Sequence, residues 1–585
     1  MRHVLFRPLA GACAAGVLLA ATAWAQPRRA AAPAAEQADL VFVGGAVYTV
    51  DAARSWATAA AVRGGRIVYV GDDAGARRLT GARTRVVELR GRMLLPGFQD
   101  SHVHPGGGLG LTSLRLHGVF DRTELFRRVR EFAAANPAQP WITGGGWEVG
   151  AFKPAGVPSR QMLDSLVPDR PAFLSASDGH TGWANSRALA LAGVTRATAD
   201  PPNGIVGRDP ATGEPDGALY EAAKGLVQRH VPRSTPAQRA RGDSLFLAEL
   251  WRNGITAVVD AGAGDEGVTR FAARQREGLP IPDAVICHGW EASGDDDRQV
   301  AAVVAWRARH PSGTPRATCV KLMLDGIIEQ YTGRLLEPYV GRGDDRGPLF
   351  IPRNRLHRLV TRLDSLGFQI HVHAIADGAV REALDAFAAA RRANGARDAR
   401  HTLAHVQLID PADIPRLREL GVIAAMSPLW ARGDDLNREF AEPRLGPMRS
   451  RWLYPHLTML GAGARIAWGT DWPVTSLVPV EGLETAVTRR HLGGRDADGR
   501  ADSAYIPAER LTLEQAIAAY TIDGAYQAFR ERERGSIEPG KRADLVVLDR
   551  NLFEVPPLEI HSVAVEMTVL GGRVVYERAR ERASP

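Results

Sequence analysis

The chain has 585 residues, 45% of them hydrophobic and 24% charged, which gives room for a large buried core and sets a ceiling of about four domains. Its net charge of +7 is spread thinly over many arginines. No dense basic run carries interleaved aromatics, so composition argues against a nucleic-acid-binding protein.

The first residues read as an export signal. Arg2 and Arg7 precede the apolar "LAGACAAGVLLAATAWA", and Ala23-Trp24-Ala25 gives a small-x-small cleavage pattern. The apolar run is short for a spanning helix, and nothing later resembles one. These features predict a signal peptide over 1–25, an exported, periplasmic protein and no stable membrane insertion. Cys13 sits in a poor lipoprotein box, because the apolar region continues past it. The following "QPRRAAAPAAEQ" predicts a flexible linker over 26–37. Cleavage would leave Cys287 and Cys319, both in apolar strand-like runs, where buried free thiols are expected rather than a disulfide.

Residues 38–97 read as short strands, with Gly-Gly and Arg-Gly-Gly-Arg turns between β-branched runs. The C-terminal 535–585 repeats that pattern in "ADLVVLDR" and "VEMTVLGGRVVYE". Neither end alone makes a good sandwich, so one β-sandwich domain built from both termini is expected.

Between them, over 98–534, apolar β-type runs alternate with amphipathic helical stretches. The runs lie near 98–104, 255–260, 284–288, 318–323, 369–373, 401–405, 422–426 and 466–470. Eight such units predict a (β/α)8 TIM barrel. A Gly- and Pro-rich segment at about 130–240 reads as an insertion over the barrel mouth.

Polar residues cluster at the ends of these runs. The first ends in His102 and His104, the fourth carries Lys321, the fifth ends in His371 and His373, the sixth in His405, and Asp471 follows the eighth. The carboxyl ends of barrel strands form the active-site face, so these positions would converge. Imidazoles with a carboxylate make a natural Zn²⁺ set, of one or two ions. Each residue alone has a plainer reading: a lone His-x-His is more often incidental, and Asp471 could be a helix N-cap. A lysine in a buried strand must shed its hydration. It then either pairs with a carboxylate such as Asp325 or Asp471, or stays neutral and takes up carbon dioxide as a carbamate.

The stretches "LLPGFQDSHVHP", "VKLMLDG", "HVHAIADGAV", "LAHVQLI" and "GTDWPV" resemble the amidohydrolase superfamily, specifically its YtcJ-like branch, which includes N-substituted formamide deformylases. So do "WITGGGWE", "DGHTGWANSRALALAGV" and "DPPNGIVGRDPATGEPDGALYE", and the similarity spans about 38–576. The resemblance implies metal ligation by His102, His104, His373, His405 and Asp471, with Lys321 as a carboxylated bridging ligand and His371 as a supporting or packing residue. Ala376 and Ala404 depart from the branch, which usually has glycine and often glutamate there.

The expected chemistry is hydrolysis of an amide- or formamide-like, non-peptide bond in a small molecule. A bound Zn²⁺ lowers the pKa of its water to about 7, and Asp471 acts as general base. For substrate contacts the sequence offers His180, Trp147, Asp178, Glu221 and Asp325, with Trp430 and Trp472 near the mouth. A lactonase, esterase or deaminase on the same site, or a non-catalytic binding protein, are the competing readings. A homo-oligomer is left open.

Overall fold

The computed structural model describes residues 37–579 apart from 154, 155, 312, 497 and 498. The expected signal peptide, and all but the last residue of the linker, lie outside the described residues. Among those described, no helix is long and apolar enough to cross a membrane.

Eight strands form one parallel sheet in chain order. They are β1 (Phe98–Val103), β2 (Ile255–Asp260), β3 (Asp283–Gly289), β4 (Arg316–Met323), β5 (Gln369–Ala374), β6 (Thr402–His405), β7 (Ile423–Met426) and β8 (Arg465–Trp468). Most of their residues are buried, as expected of a parallel sheet covered on both faces. The ring nearly closes past β8, where Asp471 N–H donates to His102 O (2.8 Å) and His104 N–H to Trp472 O (2.9 Å).

The helices between the strands turn one apolar stripe to the sheet. Arg353–Ser365 buries Leu356, Leu359, Val360 and Leu363, the i, i+3, i+4, i+7 spacing of an amphipathic helix. Pro236–Arg252 opens with a capping box from Thr235 and Gln238 and buries Phe246, Leu247 and Leu250 in the barrel core. Register then sets heights: Lys321 lies opposite His371, Met323 opposite His373, and Ala374 opposite His405.

Register also corrects one expectation. Cys287 on β3 pairs with Cys319 on β4. Their Cα atoms lie 4.2 Å apart and a disulfide joins them. They are therefore not free thiols. Two apolar runs 32 residues apart give no sign of sharing a register until the strands are paired.

Strands from both chain ends share a six-stranded sheet: Ala46–Tyr48, Trp56–Ala57 and Met93–Pro96 with Leu545–Leu548, Val565–Leu570 and Arg573–Glu577. A four-stranded sheet of Leu40–Val43, Ala59–Arg63, Arg66–Gly71 and Arg85–Glu88 packs against it through a common cluster that includes Phe42, Val62, Leu94, Leu545 and Val569. An ion cluster links the barrel to the C-terminal segment. Asp283 at the start of β3 meets Arg316 (2.9 Å), Arg534 (3.6 Å) and Arg530 (3.7 Å), and Arg534 reaches Asp544 (3.2 Å).

Between β1 and β2 the chain builds a further six-stranded sheet, from Leu114–Arg115 to Pro215–Glu221. It begins earlier than the 130 read from composition, because its first strand is only two residues long and follows an irregular glycine-rich turn.

Candidate metal centre

His102 and His104 sit at and just beyond the end of β1, and pleating aims both into the barrel mouth. Asp471 lies between them, its Oδ1 3.3 Å from His102 Nε2 and 3.0 Å from His104 Nε2. His405 ends β6, with Nδ1 4.0 Å from Asp471 Oδ2. One ligand atom from each of His102, His405 and Asp471 lies within 4.8 Å of the others. Lys321 on β4 places Nζ 3.3 Å from His102 Nε2.

Backbone geometry holds this mouth in an unusual shape. His405, Val406 and Asp471 adopt positive φ (77°, 44° and 54°), a conformation costing on the order of 1–3 kcal/mol per non-glycine residue and concentrated at functional sites. Gly469 must be glycine, since a Cβ there would fall 2.8 Å from His102 N and 2.7 Å from its Cβ. The closing strand can therefore lie flat against β1.

Electrostatics favour a ligand set without protons. Burial pushes His102 down to about 3 and holds His373 and His405 well below the ordinary imidazole range. Burial alone would raise Asp471, but His102 first, then His104 and His405, outweigh it and hold the carboxyl well below its ordinary value. Burial drives the Lys321 ammonium down to about 7. Lys321 is 5% exposed, and among the described residues no salt bridge joins it to a carboxylate, Asp325 and Asp471 included.

Partners around the set fix its rings. His371 Nε2 lies 2.8 Å from His102 Nδ1. Asp100 accepts from His102 N–H (3.2 Å), Thr470 N–H (3.0 Å) and the Thr470 hydroxyl (2.6 Å). Trp430 stacks on His405 at 5.2 Å and 10°.

His373 stands next to the group rather than within it. Its ring is 4.6 Å from that of His405 and 5.4 Å from that of His180, while Nε2 meets Gly326 O at 3.1 Å and Asp325 Oδ1 at 3.7 Å.

A cavity of about 1610 Å³ opens over these residues and is also lined by the insertion, including His180, Asp178 and Glu221. His180 Nδ1 lies 2.8 Å from Glu221 Oε2, and Thr332 donates to Glu221 Oε1 at 2.9 Å. Burial opposes a charge on His180, but Glu221 outweighs it and raises the imidazole.

Two expected substrate contacts lie elsewhere. Trp147 is wholly buried in the insertion's own core, packed on Phe152 and Trp183, with its indole N–H given to Leu174 O at 3.0 Å. Asp325 is buried behind the cavity wall and accepts N–H bonds from Ile375 (3.0 Å), Ala376 (3.1 Å) and Arg334 (3.0 Å). Trp472 lines the cavity against Phe246.

Sequence reasoning passed over Asp100, Asp260 and the pair Glu329–Gln407. Asp260 is the last residue of β2, buried at the cavity and 3.4 Å from Arg270. Its strand-end position was the available signal.

The amidohydrolase family profile matches residues 85–576. Protein LONG AFTER FAR-RED 3 of Arabidopsis thaliana is 31% identical over 572 residues, covering 94% of both chains. YtcJ of Bacillus subtilis (strain 168) is 27% identical, covering 92% of this chain and 99% of its own. The N-substituted formamide deformylase of Arthrobacter pascens is 29% identical, covering 92% and 98%. In fold, the chain matches an uncharacterized metal-dependent hydrolase of Pyrococcus horikoshii OT3 with a TM-score of 0.68, at 22% identity and covering 88% and 99%. The chain belongs to the amidohydrolase family, in its YtcJ-like branch.

Proposed function

We propose that this protein is a metal-dependent hydrolase of a non-peptide carbon–nitrogen bond, of amide or formamide type. The observation that carries the reading is the convergence of His102, His405 and Asp471 within 4.8 Å at the barrel mouth, with His104 and Lys321 beside them. The donor set fits a divalent ion such as Zn²⁺: the imidazoles of His102 and His405, held neutral by burial, and the ionised carboxylate of Asp471, all three buried, with the half-exposed His104 beside them. His102, His104, His405 and Asp471 would hold it, and His373 with a carboxylated Lys321 would extend the set to a second ion. When bound, such an ion acidifies water and polarises a carbonyl.

Asp471 then serves as the proton carrier. Its Oδ atoms face the mouth between three histidines, so it takes a proton from the attacking water and returns it to the leaving nitrogen. His180, turned by Glu221, offers a donor to the substrate carbonyl from the opposite wall. A lysine without a carboxylate partner supports carboxylation over ion pairing. The two terminal sheets, read as one β-sandwich domain, support the barrel from outside the chemistry. The Cys287–Cys319 disulfide suits an oxidising compartment and supports a periplasmic location after leader cleavage.

The test is hydrolysis by purified, metal-loaded protein of a panel of N-substituted formamides, other amides, lactones, esters and aminopurines. Turnover concentrated on the formamides and amides is expected. Turnover confined to lactones, esters or deamination would replace this reading with one of those activities.

A further inference from the structure

The charge around the cavity runs against that of the chain. The whole sequence carries +7, yet eleven acidic side chains and six basic ones line the cavity. Several acids are matched: Asp260 by Arg270, and Glu221 by His180. Glu329 is not. It follows β4, is 6% exposed, lines the cavity and forms no salt bridge among the described residues. The one side-chain hydrogen bond it accepts there comes from Gln407 Nε2 at 2.7 Å, which is two residues beyond His405. A buried carboxylate with no cation in contact is costly, and natural proteins keep one where something else supplies the charge.

Asp178, on the insertion side, adds a second observation. Its Oδ1 accepts the N–H groups of His180 (2.7 Å) and Thr181 (3.2 Å), but its Oδ2 has no partner. Burial raises both carboxyls; the charges of His180 and Lys224 oppose the rise at Asp178 without cancelling it, and at Glu329 that of Arg444 opposes it while the charge of Asp178 adds to it. Both residues belong to the cavity that holds the candidate metal centre.

Building on the hydrolase reading above, we infer that the substrate carries a cationic nitrogen group, of ammonium, amidinium or guanidinium type, seated by Glu329 and Asp178 while its scissile bond lies at Asp471. A guanidinium or amidinium suits a carboxylate best, because its planar N–H fork donates two parallel hydrogen bonds.

The test separates binding from hydrolysis. Titration calorimetry compares n-butylguanidinium, which stays protonated at pH 7, with the similarly shaped but neutral n-butylurea. Wild-type protein is expected to bind the cation at least tenfold more tightly. E329Q keeps an acceptor for Gln407 and so preserves the loop, and it is expected to reduce the cation-to-neutral ratio about tenfold; D178N reduces it further. Equal affinity for the two probes in wild type, or an unchanged ratio in both variants, overturns the inference. In parallel, formamides with a guanidinium tail are compared with tail-neutral analogues. A preference for the cationic series is expected. Failure of every formamide and amide would sink the hydrolase reading alone, because the binding ratio is read without turnover.

Discussion

At Asp471, burial and charge pull in opposite directions. A buried carboxyl tends to stay protonated, but His102, His104 and His405 surround this one and keep it ionised. In the proposed mechanism it is the base at the mouth. Asp471→Asn is expected to retain most of its metal, since the amide oxygen can still ligate, while kcat falls by a factor of about 10²–10⁴. Metal analysis beside steady-state kinetics checks both halves, and near-normal turnover would remove Asp471 from the mechanism. Much at this scale was legible in the sequence. His102, His104 and Asp471 stand in two short motifs whose strand-end spacing marks them. Trp147 was misplaced because a tryptophan fills a core as readily as it walls a site. Glu329 and Gln407 gave no signal, since a loop residue has no periodicity to say which way it faces.

The elements set the heights of these groups. Alternation on β4 and β5 puts Lys321 level with His371 and His373 one step higher, next to the loop that begins at Leu324. Asp325 anchors that loop by accepting three backbone N–H groups, two of them from the turn after β5. Asp325→Ala leaves those donors unmet, at a cost of about 1–3 kcal/mol for each buried orphan, and is expected to loosen His373. On the proposed role of His373 as a ligand to a second ion, the metal affinity of the site should then drop about 10–100-fold, as for other supporting residues of metal ligands. Asp325→Asn retains one acceptor oxygen and should recover part of it. Competition with a chromophoric chelator measures this, and an unchanged affinity in Asp325→Ala would exclude the anchoring role. The barrel strands were readable because buried parallel strands are near-continuous apolar runs. The disulfide was not, because it depends on register between two such runs.

Over the whole molecule, the barrel gathers the candidate ligands, the insertion walls the cavity, and the terminal sheets pack outside. The Asp283 cluster is a joint of this assembly. Burial works against the Asp283 charge, but Arg534, Arg316 and Arg530 outweigh it and lower the carboxyl below its ordinary value. A lowered carboxyl stabilises the fold above the unfolded pKa of about 3.9, and that stability is lost as pH falls through the lower folded value. Asp283→Asn should therefore be less stable near pH 7, by about 3–5 kcal/mol for a broken buried pair, with the gap to wild type narrowing below about pH 4. Urea midpoints from pH 7 to 3 follow it, and a pH-independent gap would mean that Asp283 acts through packing alone. Such a joint arises from contacts between distant segments that no local pattern announces.

The central claim is that His102, His405 and Asp471 belong to one metal centre. Elemental analysis of the protein after loading with Zn²⁺ or Mn²⁺ and gel filtration tests it most directly, with the His102→Ala/His405→Ala double variant alongside. One to two equivalents in wild type and almost none in a folded double variant are expected. A wild-type protein that retains no metal, or a double variant that retains the full amount, would contradict the account.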